Sequence, residues 1–231
     1  MAKVTSIKAP ASAGGDFEIA PEGVFLARCY KMVDVGTQTE TSQFGTKENR
    51  KIYLYWELLE DDEGEEVRME DGQPFSIFNS YKLSMHQKAN LRKHLDAWRG
   101  KKFTEEEAAD FDLTKLLGQA CKLQIVHQES KDGQKTYANI AAIMSTKKKP
   151  EGVNEISSFS IENPDMEVFN DLPEWLQAKI EDAPEWEESD DEEEQPAAPA
   201  KKPAKKSSKA VPANGGDDED DDKIDIADVP F

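Results

Sequence analysis

A small, mainly β barrel carrying a helical insert is the fold this chain predicts. Three observations predict it. Strand-like segments fill residues 22–83, two more lie at 120–144, and a helical period occupies only the stretch between them.

The first strand is residues 22–35, "EGVFLARCYKMVDV", rich in β-branched and aromatic side chains. Residues 36–50 show no period and read as a long hairpin loop. Residues 51–60, "KIYLYWELLE", are the clearest strand, and residues 74–83, "PFSIFNSYKL", are the third. The period then changes. Ser84 with Gln87 three residues on is a capping-box pattern. Leu91, Leu95 and Trp98 form one apolar helical stripe, and Gly100 supplies the stop. Thr104 with Glu107 repeats the cap signal, and residues 112–118 read as one more helical turn. Residues 120–128 and 135–144 are the last two strands, joined across Asp132-Gly133, a hairpin turn signal. Three strands, a helical insert and two strands are the element order of a five-stranded OB-fold Greek-key barrel with its helix between strands 3 and 4. A six-element open sheet with helices on one face is the structural alternative.

Domain organisation follows charge and composition. Residues 1–20 are small and polar and read as a flexible arm. The barrel spans 21–150. Residues 151–186 form an extension whose "LPEWLQAKI" places Pro173 at a helix start, with Trp175, Leu176, Lys179 and Ile180 on one face. That helix is too short to stand alone, so it docks on the barrel or waits for a partner. Residues 187–231 are a Pro/Ala/Lys linker and an acidic tail that cannot bury enough apolar surface to order itself. The net charge of −19 is uneven. Residues 1–150 hold 22 Lys+Arg and 23 Asp+Glu, a net of −1; residues 151–231 hold 7 and 25, a net of −18.

Enzyme chemistry finds no footing. His86, His94 and His127 lack obvious partners, and no nucleophile elbow, phosphate loop or zinc motif occurs. Cys29 and Cys121 stand alone, so no metal or other cofactor is expected. No apolar run reaches the ~20 residues a membrane span needs, and residues 1–15 lack the apolar core of a signal peptide. A cytoplasmic protein is expected.

Binding chemistry is better supported. In residues 51–58, alternation puts Ile52, Leu54, Trp56 and Leu58 on one face and Lys51, Tyr53, Tyr55 and Glu57 on the other. The first set is core. In the second, rings beside a cation form a platform on which single-stranded nucleic acid stacks, unless Tyr53 and Tyr55 pack under a helix or another strand. Arg28 and Tyr30 of the first strand, Phe44, Lys47 and Arg50 of the first loop, Lys131 in the last hairpin loop, and Lys135 and Tyr137 beyond it converge on the same surface if the fold is an OB barrel. Lys88, Arg92 and Lys93, continued by Arg99, Lys101 and Lys102, make a basic patch away from that groove and read as a solvated helix face.

The tail adds a resemblance. Its acidic run ends in Asp225, Ile226, Asp228, Val229, Pro230 and Phe231. An acidic run closed by Asp-x-Pro-Phe resembles the tail of bacterial single-stranded DNA-binding proteins. The body, on "GKKFTEEEAADFDLTKLLGQACKL" and "LPEWLQAKI", is similar to the larger OB-fold single-stranded DNA-binding proteins of tailed bacteriophages. The resemblance implies a non-enzymatic protein in a bacterial host cell. It would coat single-stranded DNA with little sequence preference during replication, recombination or repair, and recruit partner proteins through the tail. Two rivals are an acidic interaction or inhibitor protein aimed at a host enzyme, and an RNA-binding OB protein.

Overall fold

The computed structural model describes residues 18–42, 45–130 and 133–186. Six strands make one sheet: β1 (Gly23–Ser42), β2 (Gly45–Glu60), β3 (Ser76–Lys82), β4 (Ala120–Glu129), β5 (Thr136–Met144) and β6 (Ser157–Phe159). Strand order is β3-β2-β1-β4-β5, with antiparallel neighbours throughout; β6 joins β1 in parallel. β3 and β5 are not hydrogen-bonded to each other, so the sheet stays open. The fold is thus mainly β, as expected, but not a closed five-stranded barrel.

β1 is the central strand. Gly23–Arg28 pair with β4, and the freed side of Lys31–Val33 then takes β6. Its other side follows β2 through three register shifts. Each added residue bends the strand and raises its twist. The predicted long loop at 36–50 is mostly strand: Thr37–Ser42 pair with Gly45–Arg50. Polar side chains on both faces concealed it, because this hairpin arm lies largely in solvent.

Helix α1 (Asn90–Arg99) bridges the opening and contacts both edge strands, β3 and β5. Leu91, Leu95 and Trp98 face the main core, as their spacing predicts. Tyr81 and His94 share a 2.9 Å hydrogen bond, and Trp98 Nε1 donates to Ala120 O at 2.8 Å. The expected cap at Ser84 fails: residues 84–89 are irregular, with a turn at 87–88, and α1 starts six residues later behind Ala89, without a side-chain cap. Gly100 does end it, at φ +67°. Helix α2 (Glu105–Ala109) has the Thr104/Glu107 capping box in full, and a 3-10 turn follows at Leu113–Leu116.

Two cores flank the sheet. The first holds Cys29, Ile52, Leu54, Trp56, Leu58, Cys121 and Leu123 under α1. The second lies on the opposite face and is built by the extension. β6, helix α3 (Met166–Asn170) and helix α4 (Glu174–Glu181) press Phe159, Ile161, Phe169, Leu176 and Ile180 onto Val33, Val35, Tyr53 and Tyr55. The sequence reading placed no element at β6 or α3; β6 is three residues paired with β1, and α3 is a five-residue helix capped by the Asp165 carboxylate, which accepts from the amides of Glu167 and Val168.

Candidate nucleic-acid interface

Cross-strand pairing aligns the outer face of β2 and β3. Lys51 pairs with Lys82, Tyr53 with Ser80, Tyr55 with Phe78, and Glu57 with Ser76. Successive pairs two residues apart share a face. From β1, the bulge at Tyr30 turns its ring toward Tyr55, 6.4 Å between centroids. From the extension, Trp175 stacks on Phe78 at 5.8 Å and 30° and meets Tyr53 edge-on at 5.6 Å. Phe78 in turn lies 5.2 Å from Tyr55 and 5.8 Å from Tyr53. The result is one continuous row of five rings.

The expectation for its centre is corrected. Tyr53 and Tyr55 are 7% and 9% exposed and cannot receive a base directly. Alternation put them on the right face, but a chain segment more than one hundred residues later covers it. Tyr30, Phe78 and Trp175 are half-buried and form the accessible rim. Sequence reasoning missed Phe78 and Trp175 as site residues. The signal for Phe78 was its place opposite Tyr55 in a β2–β3 hairpin; for Trp175 the spacing gave only a helix face.

The cations are mostly engaged. Arg28 is not a groove residue: its Nε donates to the buried Glu57 carboxylate at 2.6 Å, and Nη2 donates to Asn154 O at 2.5 Å. Glu57 also accepts from the amides of Val153 and Asn154 and from Asn154 Nδ2, at 2.9–3.1 Å. Arg50 is held by Asp34 and Glu162, and Lys51 by Glu40. Lys47 is exposed on the β1–β2 hairpin opposite Glu40. Lys135 is exposed and Tyr137 half-buried on the β4–β5 hairpin, away from the ring row in strand order. Lys82 remains exposed at one end of the row. Phe44, Lys131 and the tail residues 225, 226 and 228–231 lie outside the described residues.

Burial keeps the row uncharged. It pushes the Tyr53 hydroxyl up to about 12, and it raises Tyr55 and Tyr30 as well; in Tyr30 a hydrogen bond shared with Ser76 partly offsets it. The same effect raises Cys29 to about 12, so the buried thiols stay protonated. Among the described residues no cluster of three or more His, Cys, Asp or Glu is arranged to hold a metal, and no helix is long and apolar enough to cross a membrane. No protein-family model matches the chain, and no curated protein matches it.

Proposed function

We propose that this is a non-enzymatic single-stranded DNA-binding protein built on an opened OB-type barrel. The carrying observation is the ring row on the strand 2–3 face of a sheet ordered β3-β2-β1-β4-β5, with its helices inserted after β3. OB barrels take oligonucleotides on that face. Neutral rings stack bases of any sequence, each worth ~1–3 kcal/mol by alanine substitution. Tyr30, Phe78 and Trp175 supply stacking edges, and the buried Tyr53 and Tyr55 hold them in place. Coating of exposed strands in replication, recombination or repair, and recruitment of other proteins by the acidic segment beyond residue 186, belong to the same reading.

Tryptophan fluorescence tests it. Of the four tryptophans, Trp56 and Trp98 are buried in the main core and Trp186 is stacked on Phe169 in the second, whereas Trp175 is on the rim of the ring row. Oligo-dT should quench the wild type, and Trp175→Phe should remove most of that quenching. No quenching and no gel shift at low salt would reject the reading.

One observation favours the rival of an acidic interaction protein. Residues 151–186 carry ten Asp+Glu against one Lys, and this segment is docked on the sheet. In that case the chain binds a basic protein surface and ignores oligo-dT.

A further inference from the structure

The fold brings together two basic stretches more than forty residues apart in sequence. A β-carbon at Gly100 would stand 3.0 Å from the Ser145 hydroxyl, so the end of α1 touches the residue just past β5. Lys101 and Lys102 leave from one side of that contact. Lys147, Lys148 and Lys149 leave from the other, and all five side chains are exposed. Lys122 comes alongside, opposite Met144 in the β4–β5 pairing.

Few carboxylates answer this charge. Glu107 takes Arg99 at 3.3 Å and Lys101 at 3.7 Å, and Glu60 takes Lys148 at 2.5 Å. Among the described residues, Lys102, Lys147 and Lys149 enter no ion pair. The negative end of the α1 dipole favours cations here but offers only a fraction of a charge. Clustered like charges repel, and a polyanion relieves that repulsion. The sheet face beneath the extension is the reverse case, with carboxylates in tenfold excess over lysine in the covering segment.

We infer that the seam between the end of α1 and the end of β5 is a phosphate-binding surface for single-stranded DNA. It rests on the nucleic-acid reading and assigns the two halves of binding to different places. Rings at the β2–β3 rim take bases, and the lysines at the α1–β5 seam take backbone. The patch read from sequence as a solvated helix face is thereby divided. Arg92 turns inward, donating to Met85 O and Phe103 O at 3.0 and 2.6 Å, while the C-terminal end of the patch joins the seam.

Salt dependence separates the two halves. Fluorescence anisotropy of labelled oligo-dT would be followed across a salt series with the full chain. The variants are Lys102→Glu/Lys147→Glu/Lys149→Glu, Trp175→Ala, and a control, Lys93→Glu/Lys115→Glu. The triple variant should lose about 2 from the slope of log K against log salt, at ~0.7 per phosphate contact. Its low-salt affinity should fall more than about tenfold. Trp175→Ala should weaken binding with the slope intact, and the control should keep the wild-type slope. All substituted lysines are exposed, so melting should be unchanged in each charge variant. A triple variant with wild-type slope and affinity overturns the inference and leaves the nucleic-acid reading standing. An equal loss per charge in the control overturns it too, since binding would then be diffuse. If the wild type fails to bind oligo-dT at low salt, the parent reading falls and takes the inference with it.

Discussion

Tyr55 is buried at the centre of the ring row, yet its hydroxyl has no hydrogen-bond partner among the described residues. A buried orphan hydroxyl forfeits ~1–3 kcal/mol of solvation that nothing returns. Tyr55→Phe should therefore leave stability unchanged or raise it, read as the urea midpoint. Because the ring is sealed, oligo-dT affinity should also stay within about twofold, well inside the effect of losing a stacked base. A clear loss of affinity would show that the row opens on binding. Arg28 and Glu57 present the opposite case. The Glu57 carboxylate is fully buried and holds Arg28, two backbone amides and the Asn154 side chain. Arg28→Met removes its one cation and leaves a buried charge with amide donors alone. Breaking such a pair from one side costs about 3–5 kcal/mol. A fall in unfolding free energy under about 1 kcal/mol, the scale of an exposed pair, would show that the site rehydrates.

Among the elements, the extension is fastened at two glycines. Gly36 lies in the third irregularity of β1 at φ +68°, and a β-carbon there would come within 2.7 Å of both Ala183 Cβ and Ile161 Cδ1. At Gly152 it would fall 1.6 Å from Arg28 Cζ. Between these points Thr37 donates from its amide and its hydroxyl to Glu185, at 2.9 and 2.6 Å. Partial burial opposes the Glu185 charge, but these bonds outweigh it and hold the carboxyl below the usual glutamate range. Gly36→Ala meets both a disfavoured backbone conformation and a collision, so it should loosen the extension by more than about 1 kcal/mol. Limited proteolysis would then cut between residues 145 and 186 while the main core keeps its protection; an unchanged digest would contradict this. These contacts also explain what the sequence could disclose. Local signals were readable: the alternation of residues 52–58, the Leu91/Leu95/Trp98 stripe, the Thr104 box and the glycine stop of α1. The two-sided burial of β2 was not, because residues 157–186 impose it from far along the chain. Tyr53 and Tyr55 consequently read as an exposed platform when they are buried in the second core. The α1–β5 seam was hidden for the same reason, since only the fold sets Gly100 against Ser145.

At the scale of the whole molecule, both cores depend on neutral tyrosines. Burial raises Tyr81 in the first core and Tyr53 and Tyr55 in the second. A group whose folded pKa is raised contributes stability that is present below its unfolded value and lost as pH rises through the folded one. The chain should therefore keep its stability up to about pH 10, the ordinary tyrosine value, and lose it steeply toward 12. Tyrosinate absorbance should rise together with unfolding; full ionisation before unfolding would count against burial. Charge distribution leads to the last prediction. Residues 217–231 hold eight Asp+Glu and one Lys, and the α1–β5 seam gathers five exposed lysines, of which Lys101 and Lys148 are ion-paired. On the nucleic-acid reading, an acidic segment of the same chain has a high effective concentration at any basic surface of that chain and would compete with DNA phosphates there. Deleting 217–231 should tighten oligo-dT binding at low salt, and the gain should shrink as salt screens both partners. The same deletion placed in the Lys102→Glu/Lys147→Glu/Lys149→Glu background should bring little gain, because the contested cations are gone. Equal tightening in both backgrounds would place the competition elsewhere on the protein, and no tightening in either would mean that the acidic strand and the nucleic acid do not share a surface.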